Sequence, residues 1–262
     1  MTDVPGFSSE EFSHGGATRR VFRRGQGPAV VVMHEIPGIT PQGAAFATRV
    51  ADAGFTVYMP LMLGTPMKPI SGGYIASSVF RACISKEFRV LGANQSSPII
   101  DWLRALARHA HALHGGPGVG AIGMCLTGNF ALAMMLDSPT LAPVLSQPSL
   151  PFPVSTAAKS ALHASPREIA AAHERIDKHG AKILGLRFHG DPACPAERFE
   201  RLRQEFGAGF EGIEIDAKHG KPGGGPPHSV VTNHLIDKEG EPTRAALDRV
   251  LSFFKEQLAP AA

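Results

Sequence analysis

The sequence predicts an α/β protein: a mostly parallel central sheet with helices on both faces. Two patterns carry that expectation. Short runs of β-branched and apolar residues alternate along the chain with segments of helical periodicity. One of those runs, AVVVMHEI (29–36), opens with a continuous apolar, β-branched stretch, as in a strand buried on both faces. The 262 residues contain no repeat and no low-complexity linker, so a single domain over 1–262 is expected.

The elements read in order as follows. TRRVFRR (18–24) reads as an exposed strand, and Gly25 to Pro28 turn the chain into the buried strand 29–36. After Pro41, residues Ala44, Ala47, Val50 and Ala51 recur at helical spacing, and Gly54 ends that helix. FTVYMP (55–60) is the next strand. Residues 61–93 read as irregular, with Gly72, Gly73 and several prolines. A connection that long suggests a segment covering a pocket. Ser97 and Pro98 are placed to open a helix as N-cap and first residue, with Ile99, Leu103, Leu106, Ala110 and Leu113 on its apolar face.

VGAIGM (119–124) is a buried strand, and LTGNFALAMML (126–136) reads as a helix. A weak, proline-broken strand lies within 142–154. Pro166 opens a helix to about Lys178, KILGLRFHG (182–190) is a strand, and a helix follows at about 195–206. FEGIEID (210–216) is the last strand. The final helix carries Leu247, Val250, Leu251, Phe254 and Leu258 on one face.

Composition narrows the function. A net charge of +3 without a Lys/Arg stripe argues against nucleic acid as a partner. The longest apolar runs fall far short of a membrane span. The N-terminal MTDVPGFSSEEF is acidic and lacks the apolar core of a signal peptide. Three cysteines are too few for a disulfide framework and fit no zinc spacing, so a reducing, cytoplasmic setting is expected. His109, His111 and His114 in HAHALH point in different directions around a helix and read as a solvated face rather than a metal site.

In a parallel sheet, sites form beyond the carboxyl ends of the strands. Cys125 follows VGAIGM, Asp191 follows KILGLRFHG, and His228 lies in the loop after FEGIEID. Nucleophile, acid, histidine is the chain order of α/β-hydrolases. A thiolate attacks carbonyl carbon, an imidazole moves the proton, and a carboxylate orients the imidazole. The turn also places Cys125 at a helix start, where partial positive charge favours a thiolate. Leu126 N–H and Ile36 N–H are the candidate oxyanion donors. His219 is the second choice of base and Asp216 the fallback acid. His34 either shapes the pocket or sits at its rim, and His234 is a further histidine near the site. Arg81 and Arg89, in 61–93, read as surface charge as readily as substrate ligands.

HEIPG, GMCLTG, HGDPACP, and HSVVT with the helix AALDRVLSFFKEQL beyond it, resemble the dienelactone hydrolase family of α/β-hydrolases, over about residues 29 to 258. The resemblance implies Cys125 as nucleophile, His228 as base, Asp191 as acid, and Glu35 as an extra carboxylate that pairs with the resting thiol. It implies hydrolysis of a carboxylic ester or lactone through an acyl-thioester, with no metal or organic cofactor. Two positions depart from the family pattern. Thr127 stands where the nucleophile turn has its first following glycine. Thr232 stands where an arginine would hold a substrate carboxylate, so dienelactone itself is not the expected substrate. The competing expectation is a non-catalytic hydrolase-like module that binds a ligand or senses oxidants through Cys125.

Overall fold

The computed structural model describes residues 3–85, 87–88, 92–136, 139–223 and 225–259. Its eight strands form one sheet in the order β1-β2-β4-β3-β5-β6-β7-β8. The strands β3 (Ala29–Met33), β4 (Thr56–Pro60), β5 (Val119–Met124), β6 (Thr140–Ser146), β7 (Ile183–Phe188) and β8 (Phe210–Ile215) run parallel. At one edge β1 (Ser8–His14) and β2 (Ala17–Arg24) are antiparallel. The expected α/β-hydrolase fold is the observed one.

Alternation along the strands explains the two layers. In β3, Val31 and Met33 face one core with the helices α3 (Ile99–His114), α4 (Phe130–Ala133), α6 (Pro166–His179) and α7 (Ala196–Phe206). Val30 and Val32 face the other core, with α1 (Pro41–Asp52) and α8 (Pro242–Leu258). Both faces of β3 are therefore apolar, which is why its run shows no polar alternation.

Local chemistry sets most boundaries. Thr40 Oγ1 accepts the Gly43 N–H and Pro41 opens α1. Ser165 and Glu168 form a reciprocal capping box on α6, and left-handed Gly180 closes it.

Four expectations need correction. β1 was not anticipated. Its polar Glu10, Glu11 and His14 hide a strand, yet Gly15–Gly16, both at positive φ, make the two-residue hairpin turn into β2. Residues 61–93 are not wholly irregular, since they contain α2 (Gly72–Ile84), capped by Ser71. α3 starts at Ile99 rather than Pro98, and Ser97 does not cap it. The Ser97 hydroxyl instead bonds the Phe88 carbonyl and, at 2.5 Å, His163 Nε2. The helix expected over 126–136 is a 3-10 turn (Cys125–Thr127) followed by the four-residue α4. None of the described helices is long and apolar enough to cross a membrane.

Candidate active site

Cys125 sits at φ +56°, a left-handed conformation that is uncommon for a residue with a side chain. The surrounding chain holds it there. Its carbonyl accepts the N–H groups of Gly128 (3.0 Å) and Ser149 (2.9 Å). A Cβ on Gly123 would collide with the Thr127 carbonyl, and one on Gly128 with Pro148, so both flanking glycines are required by close backbone approach. Thr127 adds a side-chain tie. Its hydroxyl accepts the Met124 N–H at 2.9 Å and lies 3.2 Å from the Met33 carbonyl and 3.3 Å from that of His34. The residue that departs from the glycine pattern thus links the ends of β5 and β3. Because so little helix follows, the helix-dipole argument for a thiolate weakens. An imidazole stands beside Cys125.

That imidazole is His228. Its Nδ1 donates to Asp191 Oδ2 at 2.6 Å, while Asp191 Oδ1 accepts the Ala193 N–H at 2.9 Å. Asp191 is buried at the end of β7. His228 Nε2 is buried and makes no hydrogen bond of good geometry, yet Cys125 is close enough to act on the ring. Burial opposes the charged ring. The negative charge at Cys125, the Asp191 bond and contact with Cys125 outweigh it, and the pKa stands well above the usual imidazole value.

The two alternatives lie elsewhere. His219 pairs with Glu241 at 3.6 Å, and Asp216 is exposed beside Lys218.

Glu35 is buried with both oxygens occupied. Oε2 accepts from Ser229 (2.6 Å) and Gln147 (3.5 Å), and Oε1 accepts from Thr232 (2.5 Å) and Asn233 (3.2 Å). The Cys125 thiol, which the resemblance pairs with Glu35, is not among these four partners. Three of the four lie just after His228, so Glu35 pins the loop bearing the imidazole to the end of β3. Thr232, in place of an arginine, is one of the pins.

Two further histidines act as struts. His34 Nε2 accepts the N–H groups of Met62 (3.0 Å) and Leu63 (3.4 Å), which requires the proton on Nδ1, where it reaches the Glu35 carbonyl at 2.9 Å. Burial pushes its pKa down to about 4, so the ring is neutral. His234 Nδ1 accepts the N–H groups of His228 (3.2 Å) and Ser229 (3.0 Å), and Nε2 donates to the Gly223 carbonyl (3.2 Å). Its pKa is also lowered, chiefly by burial.

Sequence reasoning noted His234 as a nearby histidine but missed its role and that of Gln147. Gln147 is buried just beyond β6 at φ +34°. The rule that sites gather at strand ends would have pointed to it, had the proline-broken run been read as a central strand.

Cys125, His228, Glu35 and Ile36 line one cavity of about 410 Å³. That volume suits a small-molecule site. Ile36 N–H is used by no hydrogen bond among the described residues. Leu126 N–H lies in the turn directly after Cys125. Arg81 is exposed on α2, and Arg89 lies outside the described residues. His109, His111 and His114 have separate neighbours: the Phe12 ring, the Gly116 carbonyl and the Tyr58 hydroxyl. No cluster of potential metal ligands occurs among the described residues.

Known structures share this architecture. A Klebsiella pneumoniae protein described as a candidate dienelactone hydrolase is 18% identical, with a TM-score of 0.64, covering 95% of this chain and 99% of its own. A dienelactone-hydrolase-like promiscuous phosphotriesterase from metagenomic libraries is 16% identical, with a TM-score of 0.59 and coverage of 97% and 98%. A Xanthomonas campestris α/β serine hydrolase without a lid is 10% identical, with a TM-score of 0.57 and coverage of 98% of both chains. At these identities the likeness is one of fold. No curated protein is detectably similar in sequence. The model of the dienelactone hydrolase family, however, matches residues 19–258, nearly the whole chain, and the chain therefore belongs to that family.

Proposed function

We propose that the protein hydrolyses a carboxylic ester or lactone through an acyl-thioester on Cys125. The observation that carries the reading is the 2.6 Å bond from His228 Nδ1 to Asp191, with the opposite ring nitrogen free of good hydrogen bonds and Cys125 beside it.

In acylation, the Cys125 thiolate adds to the carbonyl carbon, and the oxyanion takes the N–H groups of Ile36 and Leu126. When the tetrahedral intermediate collapses, the C–O bond to the alcohol breaks and the imidazolium gives its Nε2 proton to the departing oxygen. Neutral His228 then takes a proton from water as its oxygen attacks the thioester. Collapse breaks the C–S bond, releases the acid and restores the thiolate–imidazolium pair. Asp191 holds the Nδ1 proton throughout. Glu35 serves here by fixing the His228 loop. No step requires a cofactor. The three cysteines are free thiols, which fits the cytoplasmic setting we propose. Burial raises the Cys194 thiol well above the usual range, so it does not compete as a nucleophile.

The test is Cys125→Ala, assayed with small aryl esters and lactones. Turnover falls on the order of 10⁴-fold or more, and His228→Ala accumulates an acyl adduct on Cys125 visible by mass spectrometry. Turnover that survives the loss of the thiol refutes the reading.

A further inference from the structure

We propose that the cavity selects an uncharged ester whose acyl group is an extended apolar chain, with α2 as the selecting wall. This rests on the hydrolase reading above.

The wall comes from how α2 is seated. Its buried face is Tyr74, Ser78 and Ala82, one residue per turn. Tyr74 bonds Thr65 through its hydroxyl, and the Ser78 hydroxyl donates to the Pro37 carbonyl at 3.2 Å. That seating turns Ile75 and Val79, also one turn apart, into the cavity, where Ile70, Ile36 and Phe152 extend the same surface. Ile70 and Ile75 remain 39% and 40% exposed. The described residues leave these side chains partly uncovered, whereas an apolar acyl chain lying along them would cover them.

Charge gives the second argument. Glu35 places a buried carboxylate in the wall, and its four partners are neutral donors. Burial lowers the His234 pKa, and His228 is already paired with Asp191 and lies beside Cys125. No arginine lines the cavity among the described residues, and its one lysine there, Lys221, is exposed. A carboxylate on the acyl chain would lie against apolar side chains near Glu35, with only the exposed Lys221 at the rim to offset its lost hydration.

The experiment compares 4-nitrophenyl acetate, butyrate and hexanoate with the anionic 4-nitrophenyl hemisuccinate, all sharing one leaving group. We expect kcat/KM to rise on the order of tenfold from acetate to hexanoate, and hemisuccinate to fall below butyrate. Ile75→Ser with Val79→Ser flattens the chain-length slope, and Ile75→Lys raises hemisuccinate relative to butyrate. In parallel, calorimetry with the unreactive ketone 2-octanone and the keto acid levulinate reads binding without turnover, with 2-octanone the tighter. A flat slope with turnover still dependent on Cys125, or a preference for hemisuccinate, overturns the inference and leaves the hydrolase reading intact. Absent turnover of every ester overturns the hydrolase reading. Levulinate binding as tightly as 2-octanone then overturns the inference as well.

Discussion

Two segments face each other across the cavity, and they are held in different ways. The loop from His228 to His234 is tied down by polar atoms, through Glu35 on one side and His234 on the other, with the Val230 N–H also bonded to Gln147 at 3.3 Å. Helix α2 is seated by a short, mostly small face and leaves Phe80 and Ile84 about two-thirds exposed on its outer side. The difference follows the work each segment does in the proposed mechanism. A general base must stay within tenths of an ångström of its partners, and directional hydrogen bonds provide that. A wall that recognises an acyl chain needs shape and apolar area, which dispersion contacts supply without fixed directions.

The comparison can be broken most severely on the anchored side. Asp191→Asn alters the hydrogen-bonding partner of His228 and lowers kcat by about 10⁴-fold. Steady-state kinetics with an aryl ester reads this, and a loss of only a few-fold would remove Asp191 from the proposed triad. His234→Phe takes away the acceptor for the His228 and Ser229 N–H groups. It lowers kcat on the order of 10²-fold through misplacement of the base, with KM little changed. A change confined to KM would show that His234 serves the substrate rather than the base.

A pH series separates the histidine at the end of β3 from the one on the anchored loop. The unfolded chain takes up a proton near the usual imidazole value of 6.5, whereas folded His34 resists it until about 4. Stability from this residue is therefore complete above 6.5 and is lost as pH falls toward 4, by about 3 kcal/mol over that interval. Urea unfolding at stepped pH reads the loss, and His34→Gln removes that share of the slope. His228 has the opposite sign. Its raised pKa contributes stability that is present below 6.5 and lost as pH rises through its folded value.

The smallest effect is expected on the α2 side. Ser78→Ala removes one hydrogen bond, to the Pro37 carbonyl. It costs about 1 kcal/mol of stability by denaturant titration and leaves the rate of Cys125 acylation within about twofold. A large fall in that rate would show that α2 is coupled to the chemistry and is more than a wall.

Arg198, on α7, is buried, and its guanidinium donates to the carbonyls of Pro148, Pro151, Ala158 and Ala161. Burial lowers its pKa to about 10. It knits together the chain around Phe152, one of the cavity's apolar residues, and no local sequence pattern announces it. A lone arginine on a helix is ordinarily a solvated residue.

What was legible in the sequence is what local pattern controls. The apolar runs of β3 and β5 announced buried strands, and the Ser165–Glu168 pair lay within reach of a simple capping rule. Strand ends and chain order were enough to nominate Cys125, Asp191 and His228 as candidates, because a parallel sheet delivers all its carboxyl ends to one side. Tertiary structure decided what depends on contacts between distant residues. It chose His228 over His219 as the partner of Asp191, engaged Glu35 with the loop 193 or more residues away, sent the Ser97 hydroxyl to His163 instead of a helix start, and made Thr127 a tie between two strands. The physical reason is that a side-chain hydrogen bond is directional and short-ranged. Periodicity specifies which face a residue occupies, and only the packed chain specifies which atom it meets there.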